Sequence, residues 1–443
     1  MNRFLPSSRC LLLCVLLALP GLRSGYAQQT NDGSIYSRFG LGELRTFYSS
    51  QIQAMGGGGT GFPSFNAMNP SFNAMNLSNP ASWGAQVLTR VSGGLFYENI
   101  QATDASDARS RLASGTFNGV HISFPLKSQT LGVGLAFVPF SRVSYRVAVE
   151  GTLPATDGLE EVPYVVNYKG NGGLQQIVGG FGWQINNHIA AGAAAHFIFG
   201  ILEERRETRF ASGAYQRADV ANATRLAGIT GTGGVLIRLP GVFRRQDALS
   251  VGLALTLPAT LTGTRVRTLE TSVEADTLGG ELSGKVHLPY GLGFGVAYRP
   301  DLRWTFIADA RYEPWSTFES DFTFPGYTPG GHSLQDRLRL SAGIEFLPAG
   351  RDLLASYFRR TAYRIGFYVD RSYASPLPEE TIRTFALTGG LSLPTLNAGT
   401  RIDLNVELGT RGTTERGLIR DRFIRIGVNL NLGELWFVKR KLG

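Results

Sequence analysis

Arg401-Ile402-Asp403-Leu404-Asn405-Val406-Glu407-Leu408 puts a charged or amide side chain at every odd position and an aliphatic one at every even position. A β-strand points successive side chains to opposite faces, so this octet predicts a strand with one oily side and one wet side. The last repeat does the same. Ile424, Ile426, Val428, Leu430 and Leu432 face one way, and Arg425, Gly427, Asn429 and Asn431 the other. Working back to residue 86, the pattern recurs about fourteen times. Strands are expected near 86–98, 114–125, 131–150, 161–185, 188–205, 222–240, 247–267, 279–299, 302–318, 335–347, 351–370, 380–394, 400–412 and 420–433.

The connections alternate in length. Lys127-Ser128-Gln129, Asn186-Asn187, Arg299-Pro300-Asp301, Pro348-Ala349-Gly350 and Thr395-Leu396-Asn397 read as tight turns. The intervening stretches 99–113, 151–160, 206–221, 268–278, 319–334, 371–379 and 413–419 read as longer polar loops. Short periplasmic turns and long outer loops belong to transmembrane β-barrels of the outer membrane. The expected fold is therefore all-β: an antiparallel barrel of about 14 strands. A charge on the lipid side at the bilayer midplane costs about 2–4 kcal/mol, which fixes the register. Trp304, Phe306, Ala308, Ala310 and Tyr312 should meet lipid and Arg303, Thr305, Asp309 and Arg311 the lumen, with Ile307 as the exception. Outer-membrane lipids are thus an expected partner.

Bulk composition agrees. Of 443 residues, 43% are hydrophobic and only 17% charged, fewer charges than the roughly 25% of a soluble domain. The formal charge of +9 is spread along strands among acids, so no nucleic-acid partner is expected. Residues 1–27 read as a signal peptide: Arg3 and Arg9, then the apolar run Leu11 to Leu19, then Gly25-Tyr26-Ala27 before a cut. The two cysteines, Cys10 and Cys14, fall within it, which leaves the remainder without thiol chemistry. A lipidated Cys14 is the alternative, against which stands the absence of a small residue in Leu11-Leu12-Leu13.

Residues 28–85 sustain no alternation. They hold Gly56 to Gly59 and a tandem repeat, Pro63 to Asn69 recurring as Pro70 to Asn76. Too rich in Gly and Asn for a strand pair or long helix, this segment is expected as a plug in the lumen; a periplasmic extension is the alternative. Glycines at Gly132, Gly134, Gly291, Gly293 and Gly295 would let it approach the wall. The domain plan is thus signal 1–27, plug 28–85 and barrel 86–443.

Several short motifs are spread over the chain in order: Tyr36-Ser37-Arg38-Phe39-Gly40-Leu41-Gly42, Ala54-Met55-Gly56-Gly57, Asn79-Pro80-Ala81, Leu288-Pro289, Gly295 to Pro300, Ala308-Asp309, Trp315-Ser316 and Trp436 to Lys441. Together they resemble the outer-membrane long-chain fatty acid transporter (FadL-type, toluene-transport-like) family, in a divergent Bacteroidetes-like branch. The resemblance implies passive uptake of a hydrophobic small-molecule ligand through a barrel closed by an N-terminal hatch. It also implies sideways release through a kinked third strand, and no cofactor. Two departures stand out: the tandem repeat lengthens the plug before Asn79-Pro80-Ala81, and the chain ends in Leu442-Gly443 rather than an aromatic. The signal read by the barrel-assembly machinery during insertion is then the strand ending near Trp436 and Phe437.

Candidate site residues follow. Pro139 cannot donate to a sheet ladder, and unpaired backbone is costly in lipid, so a wall opening at Pro139, Phe140 and Ser141 is expected; a plain bulge is the alternative. Arg303, Arg311, Arg337, Arg339 and Arg364 could hold a substrate carboxylate with their forked guanidinium groups, or could pair with Asp309, Glu345, Asp403 and Glu407 to stiffen the wall. Phe62, Phe65 and Phe72 could line an apolar pocket or anchor the plug. His121 and Ser123 share a strand face but have no orienting partner, and His188, His196, His287 and His332 lack metal-ligand spacing. No enzyme is expected. The alternative to transport is a barrel of the same fold acting as a scaffold or shuttle for partner proteins. A continuous apolar tunnel to Pro139 would favour the first, a lumen packed with charges and plug the second.

Overall fold

The computed structural model describes residues 32–45, 49–63, 74–154, 161–212, 215–271, 275–377, 380–397 and 399–434. The signal segment, Phe65, Phe72, most of the tandem repeat and Trp436-Phe437 lie outside them.

Among the described residues, fourteen antiparallel strands close into one barrel. They are β1 (Thr89–Thr103), β2 (Arg109–Lys127), β3 (Leu131–Pro139 and Tyr145–Leu153), β4 (Val162–Gln184), β5 (Ile189–Phe210), β6 (Ala218–Pro240) and β7 (Ala248–Thr256 and Ala259–Thr271). Then follow β8 (Ala275–Leu288 and Gly291–Arg299), β9 (Trp304–Glu313), β10 (Arg337–Phe346), β11 (Ala362–Arg371), β12 (Arg383–Pro394), β13 (Arg401–Arg411) and β14 (Arg420–Glu434). Closure is made by β14 on β1, from Thr89↔Glu434 to Thr103↔Arg420.

The register is the one the alternation requires. Ile402, Val406 and Leu408 are 38–50% exposed, whereas Asp403, Asn405 and Glu407 are at most 1% exposed. This inverts the burial of a water-soluble protein and leaves an apolar outer band for lipid. Trp304 and Phe306 also point outward, with Trp304 stacked on Phe346 at 4.3 Å, and Ile307 is buried as the exception.

Three expectations need correction. The strand expected at 351–370 begins only at Ala362, because the connection after β10 holds turns and a short helix, α1 (Tyr357–Arg360). The tight turn at Pro348-Ala349-Gly350 is just its opening. The loop expected at 99–113 shrinks to residues 104–108, since β1 and β2 extend their ladder to Thr103↔Arg109. Ladder hydrogen bonds continue beyond the point where alternation is legible. Finally, residues 314–336 do form a long connection, but its Trp315, Phe318, Phe322, Phe324 and Tyr327 are buried rather than solvated. They pack with Leu41, Val143, Tyr145, Leu174, Ile198, Leu261, Val286 and Tyr373 in an apolar core at that end. By the loop-length rule this end is extracellular.

The described residues between 32 and 88 run against the lumenal face. A Cβ on Gly132 would lie 2.1 Å from the Trp83 carbonyl oxygen; one on Gly252 would lie 2.0 Å from that of Thr60, and one on Gly343 2.4 Å from that of Met55. Lumen glycines thus mark where the backbone of this N-terminal segment touches the wall. The segment has little regular structure: the helical turn Ser50–Gln53, capped by the Ser49 side chain, and the 3-10 helix Pro80–Ala85.

Candidate functional site

Among the described residues, the ladder between β2 and β3 is interrupted. β2 pairs with β3 only from Lys127↔Leu131 to Val120↔Phe137. Beyond that, Arg109–Phe117 pair on the β1 side alone, and Tyr145–Leu153 on the β4 side alone. Residues 140–144 leave the β2 edge and turn inward. There, Ser141-Arg142 pair with plug residues Leu44 and Glu43, and the Arg45 amide donates to the Phe140 carbonyl at 2.9 Å. The bend is absorbed opposite by Gly173, whose φ of +143° few side chains tolerate and whose Cβ would lie 2.3 Å from the Ser141 carbonyl oxygen. Pro139 is the last residue in register before the kink, paired with Gln175. Its missing N–H costs nothing where the ladder is already ending.

The plug strand is held by charge. Glu43 accepts from Arg411 at 2.7 Å and Arg425 at 2.9 Å, and Arg425 also reaches Glu98 at 2.6 Å and Glu407 at 2.9 Å. Burial pushes the Glu43 carboxyl up, but Arg411, Arg425 and Arg45 outweigh it and hold it well below the usual carboxylate range.

The lumen arginines from β10 and β11 are likewise engaged. Arg337 binds Asp370 at 2.8 Å and Glu313 at 3.4 Å, Arg339 binds Asp370 at 2.9 Å, and Arg364 binds Glu345 at 2.7 Å and Asp403 at 3.5 Å. Arg339 also lies 3.5 Å over the Tyr368 ring and donates to the Gly56 carbonyl of the plug at 3.3 Å. Arg311 pairs with Glu313 at 2.6 Å. Arg303 corrects the expectation: it is exposed in the turn before β9, where its amide donates to Asp301. Alternation broke down at a turn whose Asp side chain caps the backbone.

Asn79-Pro80-Ala81 is wholly buried. The Asn79 carboxamide accepts from the Ala81 amide at 3.0 Å and donates to the Thr60 carbonyl at 2.8 Å and the Val235 carbonyl at 3.1 Å. Pro80 opens the 3-10 helix that this cap starts. The motif sits against Gly182, Gly192 and Gly234. Phe62 is buried with Ile52, Met55, Ala297 and Ile307. His121 and Ser123 both face the lumen, but the His121 ring approaches Ser92 at 3.3 Å.

Sequence reasoning missed the plug strand Glu43-Leu44, the role of Arg411 and Arg425 in anchoring it, and the inward-folded loop. For the loop a signal existed: five aromatics between Trp315 and Tyr327 are too many for a solvated connection. For Glu43 none did, because two residues of strand show no period.

The model of one protein family, BamG, matches residues 9–443. Among curated protein sequences there is no match. Among solved structures, similarity extends to the toluene transporter TbuX of Ralstonia pickettii (TM-score 0.55, 13% identity, covering 88% of this chain and 99% of that one). A FadL homologue of Pseudomonas aeruginosa gives 0.54 and 11%, covering 88% and 98%. The toluene transporter TodX of P. putida gives 0.53 and 14%, covering 88% and 99%. Identity this low establishes the fold, that of FadL-type outer-membrane barrels; the match across nearly the whole sequence establishes that the chain belongs to the BamG family.

Proposed function

We propose that this barrel passes hydrophobic small molecules, long-chain fatty acid-like ones among them, into the outer membrane, with lateral release at the third strand. The observation that carries this reading is the break between β2 and β3, covered from inside by the two-residue strand Glu43-Leu44. The apolar core reaches it: Phe318 and Phe322 belong to the same cluster as Val143 and Leu174, with Phe140 packed alongside. A ligand displacing the aromatic loop would meet a continuous oily path to the kink. That the fold is shared with toluene transporters adds support.

The test uses Leu44→Cys with Ser141→Cys, register partners at the kink, in a chain whose own cysteines are confined to residues 10 and 14. Oxidation should abolish uptake of a labelled fatty acid into cells, and reductant should restore it. Uptake indifferent to oxidation sinks the lateral route.

A second reading, a scaffold or shuttle for partner proteins, is favoured by two observations. The described lumen is largely filled by plug and ion pairs, the cavity beside Phe140 and Trp315 being only about 100 Å³. The family name BamG also points to the barrel-assembly machinery. Depletion of the protein separates the two: a general loss of outer-membrane barrels supports the scaffold, whereas a selective loss of fatty-acid uptake supports the channel.

A further inference from the structure

At the end of the barrel opposite the aromatic loop, a cavity of about 310 Å³ lies between plug and wall. Phe62, Pro63 and Ala85 line it from the plug and Ala297 from β8; Gln129, Gln184 and Asn187 stand at its rim, in or beside the periplasmic turns. Two arginines enter it from opposite sides of β7. Arg238 of β6 is the register partner of Ser250, and Arg299 of β8 that of Ala248. The two small residues leave both guanidinium groups room to face the same space.

Neither arginine has an ion-pair partner among the described residues, and Arg238 Nε and Nη2 are shut off from solvent without a hydrogen bond. The nearby acids are committed elsewhere. Glu345 is held by Arg364 at 2.7 Å, and Asp247 adjoins Ala248 on the alternate face, where its Oδ2 accepts from the Phe243 and Arg244 amides at 2.9 Å and from the Tyr298 hydroxyl at 3.3 Å. By contrast, Arg337 and Arg339 share Asp370, and Arg411 and Arg425 share Glu43. Two confined like charges repel, and a desolvated charge with no counter-ion is costly. An incoming oxyanion relieves both, and forked donors on either side suit a carboxylate or a phosphate.

We propose that this periplasmic mouth is a binding site for an amphiphilic anion, with its carboxylate or phosphate head between Arg238 and Arg299 and its apolar chain against Phe62 and Ala297. The cavity volume falls at the lower end of small-molecule sites. The site does not rest on the transport reading, since it lies at the other end of the barrel and is measured as binding to purified protein.

The experiment is calorimetric titration of the detergent-purified full chain with laurate, dodecyl phosphate, methyl laurate and inorganic phosphate. Both charged amphiphiles should bind. A preference for laurate would name a fatty acid as occupant, and one for dodecyl phosphate a lipid headgroup. Arg238→Gln and Arg299→Gln should each weaken that binding about tenfold or more and leave methyl laurate unaffected. Unliganded variants should melt no lower than wild type, because each removes an unpaired charge. Equal laurate affinity in the double variant, or inorganic phosphate binding as tightly as laurate, overturns the proposal. If the variants do not fold, a diazirine-bearing laurate on the unaltered protein decides: it should label peptides containing Phe62 or Ala297, and labelling elsewhere alone overturns the site.

Discussion

At the residue scale the lumen is organised by charge pairs whose partners come from different strands. Glu43 ties the Glu43-Leu44 strand to the wall by charge, since Arg411 and Arg425 both close on it. Its folded pKa lies below the ordinary value near 4.5. The stabilisation is therefore complete above that ordinary value and is lost as pH falls through the folded one. Protease cleavage of the plug should be flat from neutral pH down to about 4.5 and should rise in stronger acid. Glu43→Gln should cleave faster already at neutral pH, by about 1–3 kcal/mol of lost docking, and show a smaller acid rise. Equal profiles for the two proteins would remove Glu43 from the latch.

At the element scale, glycine placement determines where plug and wall meet. Gly132 has the Trp83 carbonyl where its Cβ would go, while Gly233, on the outer face of β6, has nothing within 4 Å. Gly132→Val should push the 3-10 helix Pro80–Ala85 off β3 and raise single-channel conductance in planar bilayers. Gly233→Val should leave conductance unchanged and stability within about 0.5 kcal/mol. The contrast separates displacement of the plug from a general cost of adding a side chain to a strand.

For the whole molecule, the decisive fact is which side of the sheet meets hydrocarbon. Val406 lies on the outer face of β13 between lumenal Asn405 and Glu407. Val406→Arg should cost about 2–4 kcal/mol if it sits near the midplane, read from unfolding in urea with the barrel in lipid vesicles. Asn405→Ser, one residue away, should cost far less. A reversed order of the two would mean that the barrel is not bathed in lipid as its alternation demands.

An approximate strand number and the facing of most strands were legible in the chain itself, because burial of alternate side chains in two different solvents writes a period of two along a strand. Pro139 and the lumen glycines were legible for a local reason, since proline cannot donate to a sheet ladder and glycine leaves room at the wall; Asn79-Pro80-Ala81 stood out only through the family resemblance. The plug strand at Glu43-Leu44, the inward fold of Trp315 to Tyr327, the exposed position of Arg303 and the facing of Arg238 toward Arg299 were decided only in three dimensions. Arg303 is turned out by a local Asp301 cap that alternation does not show; the other three depend on contacts between residues far apart in sequence, and neither periodicity nor local propensity carries information about a partner many strands away.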